Sequence, residues 1–322
     1  MKNKDNQGKG LIGLQAATKA IELSLHIPYL ADERPLGFLF VAQPGTGKSF
    51  LLTKFRAENM IIVNDITGRG LENIVEKMQR FKTGYVNIPD LLKVMSRNKG
   101  WEAFLTLANI ILEEGLTAIS RYDKFVTFDV PLNFGIITAM TSKCFQSNRR
   151  LFERTGFLSR FGAFSFEYEQ EDEKLITSRL SVGKTNGDLK YFIPTPSEKK
   201  FVDISPEAGH TIRDMGKLLS NGKQKPFRAV NFVRRLVKAN AVMNHREKIT
   251  KDDLREVYAL IPFFIPPEPI STDLDYMILR KPTATSWKKY KEETLSHYSD
   301  DSIYAARQRL IKKQLLKPST KA

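Results

Sequence analysis

The stretch LGFLFVAQPGTGKSFLLTKF, Leu36 to Phe55, constrains the chain more than any other. Its apolar run Phe38-Leu39-Phe40-Val41 is short and stops at a turn, as a strand covered on both faces does. Ser49 to Phe55 then returns to helical spacing. The order strand, glycine loop, helix lets backbone N–H groups of the loop converge on an oxyanion at a helix start. The match to G-x-x-x-x-G-K-[ST] departs at one place, where Ala42 takes the first glycine position. Pro44, Gly45 and Gly47 keep the loop tight and free of bulk, and alanine is the least obstructive replacement. The expectation is a phosphate cradle made by Pro44, Gly45, Thr46, Gly47, Lys48, Ser49 and Phe50. Lys48 would reach the β- and γ-phosphates of ATP, and the Ser49 hydroxyl would ligate Mg2+. A strand-to-helix turn without a ligand is the competing reading.

With 322 residues and 41% hydrophobic content, the chain is long enough for one large or two modest domains with a real core. No apolar run approaches a membrane span, and the start, MKNKDNQGKG, lacks the apolar core of a signal peptide. A cytoplasmic location and no membrane partner are therefore expected. Cys144 is the single cysteine, which excludes an intramolecular disulfide, and no His/Cys cluster has the spacing of a structural zinc site. The 51 Lys and Arg against 36 Asp and Glu give +15 and a pI near 9.7, a balance that favours a polyanionic partner, DNA foremost. A lysine-rich solvated surface is the alternative, because net charge says nothing about clustering.

Beyond the loop, MIIVNDI (Met60 to Ile66) reads as a second buried strand and LENIVEKMQRF as an amphipathic helix. GYVNIPDLLKVM leads into the helix WEAFLTLANIILEEG. YDKFVTFDVPLNF alternates like a hairpin strand before the apolar GIITAM. Strands alternating with helices predict an α/β fold, a mostly parallel sheet flanked by helices. From about Glu171 the pattern turns helical, with SPEAGHTIRDMGKLLS, FRAVNFVRRLVKANAVMNH and ITKDDLREVYALI. Thr250 is a candidate N-cap with Asp253 placed close to a capping box. PFFIPPEP, with four prolines in eight residues, ends this region as a stiff linker. Two further helices are expected near SWKKYKEETL and DDSIYAARQRLIKKQLL.

Taken in order, these segments resemble the AAA+ ATPases over roughly residues 10 to 265. GLIGLQAATKAIELSLHI resembles the opening of many such modules, where the turn sits by the adenine. The section ILEEGLTAISRYDKFVTFDVPLNFGIITAMTS resembles the MoxR and minichromosome-maintenance branch, as does the lid-like FRAVNFVRRLVKANAVMNHREKITKDDLREVYALI. The resemblance implies residues 1–170 as the P-loop α/β domain, 171–265 as a helical lid, and 266–322 as a linker with a small basic helical domain. Asp90 takes the place of the magnesium-organising aspartate, at the end of the strand YVNIP, although it also suits the N-cap of LLKVM. The family places a glutamate next, and this chain has Leu91, so slow hydrolysis is one expectation. Thr141 takes the sensor-1 position. Arg160, in LSRF, takes that of the arginine finger, with Arg154 as a competitor and an internal ion pair as the alternative. Arg228 takes the sensor-2 position, next to the γ-phosphate. Glu113 and Glu114 read as solvated helix-end charges, and Arg234 and Arg235 as partners for acidic side chains or another subunit.

The same resemblance implies a homo-oligomer, a hexamer, heptamer or spiral, with ATP at subunit junctions. Arg69 in TGRG, with Arg121 and Lys124 at the hairpin tip, would face DNA. Residues 271–322 carry 11 Lys and Arg against 6 Asp and Glu, a net +5. Their last helix resembles the second half of a helix-turn-helix, with Arg307, Arg309, Lys312 and Lys313 as phosphate contacts. A plain helical cap, or a docking site for a protein partner, suits it equally. Three functions follow as expectations: ATP-driven loading or remodelling of DNA, a MoxR-like protein-remodelling chaperone, and an ATP-binding assembly switch with slow hydrolysis.

Overall fold

A computed structural model describes residues 11–66, 70–71, 73–74, 77, 83–96, 101–120, 125–184, 191–193, 198–220, 226–264, 278, 286–296 and 298–312, without the side chains at 83, 305 and 309–312. The chain divides into two compact units, residues 1–266 and 267–322.

The first unit opens with helix α1 (Gln15–His26) and strand β1 (Gly37–Ala42), followed by α2 (Lys48–Lys54), β2 (Met60–Ile62) and β3 (Thr83–Ile88). Then come α3 (Leu91–Met95), α4 (Trp101–Glu113), β4 (Leu116–Ser120), β5 (Phe125–Thr141), α5 (Ser142–Arg154) and β6 (Phe161–Ser165). Five strands form a parallel sheet in the order β2-β3-β5-β1-β6, and β4 pairs antiparallel with the outer part of β5. The expected mostly parallel sheet flanked by helices is therefore present. Parallel strands need crossovers, and the helices that supply them cover both faces. All six residues of β1 are accordingly buried. Phe38, Phe40 and Ala42 join the core under α1 and α8 (Phe227–Met243), while Leu39 and Val41 join the opposite core with Leu91, Phe104 and Phe152.

Two local expectations change. The hairpin strand and GIITAM are one 17-residue strand, β5: exposed positions interrupt its outer half, and Phe134 to Met140 are buried where β1 and β3 flank it. The segment at Met60 is shorter and less buried than expected, ending as a strand at Ile62, because β2 lies at the sheet edge and has a neighbour on one side only. The expected helix at LENIVEKMQRF falls largely outside the described residues.

After β6 the unit continues with α6 (Gln170–Ser181), α7 (Pro206–Ser220), α8, α9 (Lys251–Tyr258) and α10 (Ile261–Phe264). Phe232 of α8 sits 5.7 Å from Phe38 and 5.0 Å from Phe264, so helices and sheet share one aromatic core. Thr250 and Asp253 form the full capping box at α9. Arg234 and Arg235 do pair with an acid: Glu33, whose side chain is 1% exposed, accepts from Arg234 Nε at 2.7 Å and Arg235 Nε at 3.1 Å, with Lys238 Nζ 3.5 Å away. A carboxylate that deep requires such partners, and here they tie the segment before β1 to α8.

The second unit holds α11 (Trp287–Thr294) and α12 (Asp300–Lys312), which close on Ile278, Tyr290, Leu295, Ile303 and Ala306. No helix among the described residues is long and apolar enough to cross a membrane.

Candidate nucleotide site

The loop between β1 and α2 leaves the carboxyl edge of the sheet, where ligands of open α/β sheets bind. Ala42 still belongs to the strand, in register with Thr141 of β5, so a glycine's conformational freedom is not needed there. It is needed three and five residues on. Gly45 and Gly47 have φ of +80° and +75°, and a Cβ built on Gly45 would meet nothing within 4 Å. The loop surface at Gly45 is thus open backbone, as close approach by a phosphate requires.

Lys48 opens α2 and is buried, its Nζ donating to the Gln43 carbonyl at 2.6 Å across the loop. Burial pushes its ammonium below the ordinary lysine range, and the charge of Asp90 works against that shift. Ser49 donates its hydroxyl to the Pro89 carbonyl at 2.9 Å, which fixes the serine against the end of β3, one residue before Asp90. Asp90 itself caps α3, accepting from the Leu92 N–H at 3.0 Å. The cap reading of Asp90 is thus realised at the edge where Lys48 and Ser49 stand. The neighbouring Leu91 is fully buried in the core under β3, α4 and α5.

Thr141 ends β5 beside this group and caps α5, accepting from the Cys144 N–H at 3.3 Å. Burial raises the Cys144 thiol, a hydrogen bond from Asn148 opposes this, and the charge of Asp90 adds to it. Lys48, Ser49, Asp90 and Thr141 therefore meet at one edge of β1, β3 and β5. Phe50 is 36% exposed, with the Lys54 ammonium 4.3 Å from its ring.

Two supports carried no sequence motif. Asn87 Nδ2 donates to the Leu52 carbonyl at 2.8 Å and fastens α2 to β3. Tyr168 donates its hydroxyl to the Thr46 carbonyl at 2.8 Å, and a Cβ on Gly13 would strike the Tyr168 ring and the Asp172 carboxylate. The turn before α1, expected near the adenine, thus lies against the residue that pins the loop. Burial, with Asp172 adding to it, pushes the Tyr168 phenol up to about 12.

Arg160 and Arg228 stand elsewhere. Phe161, next to Arg160, is in register with Gly37, the first residue of β1, whereas the loop follows its last. Five strand steps at about 3.3 Å separate the two ends by roughly 17 Å. At that far edge Glu113 pairs with both arginines: it bridges to Arg160, and Arg228 Nη2 donates to it at 2.7 Å. Arg228 Nη1 also donates to the Ser159 hydroxyl at 2.5 Å. Glu113 is consequently a paired helix-end charge, its side chain 38% exposed, rather than a free solvated one. Burial works to raise its carboxyl, and the two guanidiniums outweigh this, leaving it below the usual carboxylate range.

Arg307 sits with its guanidinium 4.4 Å from the centre of the Trp287 ring. Arg69, Arg121 and Lys124, and the side chains of Arg309, Lys312 and Lys313, lie outside the described residues. The chain matches no protein-family model and no curated protein.

Proposed function

We propose that the chain is an ATP-binding protein of the AAA+ kind that assembles with copies of itself and acts on DNA. The observation carrying this reading is the convergence of an open glycine loop, a buried lysine, a serine and an aspartate at the carboxyl edge of a parallel sheet. Gly45, Gly47 and Lys48 would hold the phosphates, and Tyr168 steadies the loop through its hydrogen bond to the Thr46 carbonyl. Bound Mg2+ would neutralise charge on the β- and γ-phosphates; Ser49 and Asp90 are the protein groups placed to hold it or its waters. The net charge of +15 supports a polyanionic partner.

A second reading is favoured by Leu91. The position where the family carries its water-polarising glutamate points an apolar side chain into the core. This suits a switch that assembles on ATP and turns over slowly. ATPase rates and sedimentation, with and without single- or double-stranded DNA over a salt series, separate the readings. DNA-stimulated turnover supports remodelling of DNA, and ATP-driven assembly without turnover supports the switch. Turnover indifferent to DNA, with no binding at any salt, overturns the DNA reading in favour of protein remodelling.

A further inference from the structure

Tyr168 joins three parts of the first unit. Its backbone follows β6, where the Phe166 N–H donates to the Val41 carbonyl at 3.4 Å and ties the chain to the end of β1. Two residues on, the Tyr168 hydroxyl donates to the Thr46 carbonyl at 2.8 Å, a hold on the glycine loop from outside it. Within the loop, the Thr46 hydroxyl and Lys48 Nζ both donate to the Gln43 carbonyl, at 2.8 and 2.6 Å. The tyrosine ring packs on the turn before α1: a Cβ on Gly13, whose φ is +70°, would stand 2.5 Å from Tyr168 Cδ1 and 2.8 Å from an Asp172 carboxylate oxygen. Burial and the charge of Asp172 keep the phenol protonated, so it is a donor throughout the neutral range.

A peptide unit is planar and trans, so its C=O and N–H point in opposite directions. Fixing the Thr46 carbonyl toward Tyr168 therefore turns the Gly47 N–H away from the tyrosine, with Gly47 in the left-handed region at φ +75° just before Lys48. Without that hold, the glycines flanking Thr46 leave the Thr46–Gly47 peptide free to flip, and the loop loses the alignment of N–H groups that an oxyanion needs. The same tyrosine stands two residues before α6, which buries none of its own residues. In this α6 differs from α8 and α10, whose Phe232 and Phe264 lie in the core against Phe38 and Phe164. A helix with so little burial opens at low cost and takes its order from its attachments. We infer that the Tyr168 hydroxyl sets the phosphate affinity of the glycine loop and links occupancy of the loop to the order of α6. The inference rests on the nucleotide reading above. The link is reciprocal: a phosphate that holds the Thr46–Gly47 peptide steadies Tyr168 and α6, and whatever steadies α6 tightens phosphate binding. Tyr168 is thus a positioning residue, acting on the ligand through the loop.

The test uses the full chain and Tyr168→Phe, which keeps the ring against Gly13 and removes the hydroxyl. Calorimetry should show ATP bound roughly tenfold more weakly, and tripolyphosphate weakened by a similar factor in the part of its binding that Lys48→Ala abolishes. The melting temperature should fall by a few degrees at most. Gly13→Ala, which drives a Cβ into the Tyr168 ring with the hydroxyl still present, should weaken ATP in the same way. On ATP binding, amide hydrogen exchange of the wild type should slow in α6 as well as in residues 43–50; in Tyr168→Phe at saturating ATP it should slow in residues 43–50 alone. Unchanged ATP affinity in Tyr168→Phe, with affinity lost in Lys48→Ala, overturns the inference and leaves the nucleotide reading standing. Weakened ATP with unchanged tripolyphosphate assigns Tyr168 to the base and overturns its role in the loop. Failure of the wild type to bind ATP overturns the nucleotide reading, and the inference with it. Where melting curves show a variant to be unfolded, exchange in the wild type decides alone: protection of residues 43–50 without α6 overturns the link.

Discussion

The Ser49 hydroxyl donates to the Pro89 carbonyl at 2.9 Å, so the loop that follows β1 is fastened to the end of β3 immediately before Asp90. The bond fixes the serine against the strand end that carries the aspartate, near the buried Lys48, whose ammonium is partly desolvated. A desolvated ammonium is a stronger partner for phosphate than an exposed one.

Lys48→Ala should therefore lower ATP affinity by at least about a hundredfold, since charge-assisted hydrogen bonds to the terminal phosphates are lost. Ser49→Ala should keep the fold, costing about 1 kcal/mol for one hydrogen bond. It should also lose the gain in ATP affinity that Mg2+ confers. Calorimetric titration of ATP with and without Mg2+ checks both; a serine variant with an intact Mg2+ effect would remove Ser49 from the metal site.

Leu91→Glu is the complementary experiment. Leu91 is fully buried, so a glutamate there enters the core and should cost roughly 3–5 kcal/mol, seen as a fall in Tm on the order of 10 °C, with no gain in turnover. Raised ATPase activity at unchanged Tm would show that this position faces the nucleotide, and the slow-switch reading would lose its support.

His26 gives a pH signature. It ends α1 buried, with Nδ1 2.7 Å from the Glu22 carbonyl, which fits an Nδ1–H donor. Burial pulls its pKa below the ordinary value, the hydrogen bond to Glu22 opposes this, and the charges of Lys19 and His245 add to the lowering. The unfolded chain thus takes up the proton first. The stabilisation from neutral His26 is complete above about pH 6.5 and is lost as pH falls through the folded pKa, with a slope of up to about 1.4 kcal/mol per pH unit. Denaturant unfolding at a series of pH values should show this slope in the wild type and a flatter profile in His26→Gln. Parallel profiles would assign the pH dependence to other groups.

The loop was legible because its signal is local: the run Phe38 to Val41, the glycines and Lys48 fall within a dozen residues, and backbone geometry there follows from residue type. The same holds for the Thr250–Asp253 box. β5 was legible in its two halves but not as one strand, since the change from interrupted to continuous burial at about Asn133 records where neighbours begin, a tertiary fact. Glu113 and Glu33 could not be placed from sequence. Their partners are 47 to 205 residues away, and a glutamate at a helix end or before a strand looks the same whether solvated or paired. Arg160 and Arg228 stand in recognisable sequence motifs, but their meeting on one carboxylate is a tertiary fact, set by where the end of α4, the turn before β6 and the start of α8 converge.

DNA binding makes the last prediction. Phe125 and Val130, on the outer part of β5, are 68% and 70% exposed, so the β4–β5 hairpin presents a surface rather than a core, and Arg121 and Lys124 stand in the sequence between its two strands. With a net charge of +15, contacts from such residues to the phosphate backbone would be independent of sequence and would release counterions, making affinity fall steeply with salt. Replacing Arg69 and Lys124 by alanine should weaken binding about equally for unrelated DNA sequences and flatten the plot of log affinity against log salt by roughly one unit per lost contact. Fluorescence anisotropy across a salt series measures both quantities. Unchanged affinity and slope would move the interface to Arg309, Lys312 and Lys313, where deletion of residues 271–322 is the next measurement. Arg307 is set apart from that group, because its guanidinium already stacks on Trp287 and its replacement should lower the stability of α11 and α12 along with any effect on DNA. If the deletion also leaves DNA affinity unchanged, DNA is not the partner, and the basic surface serves solubility or an acidic protein instead.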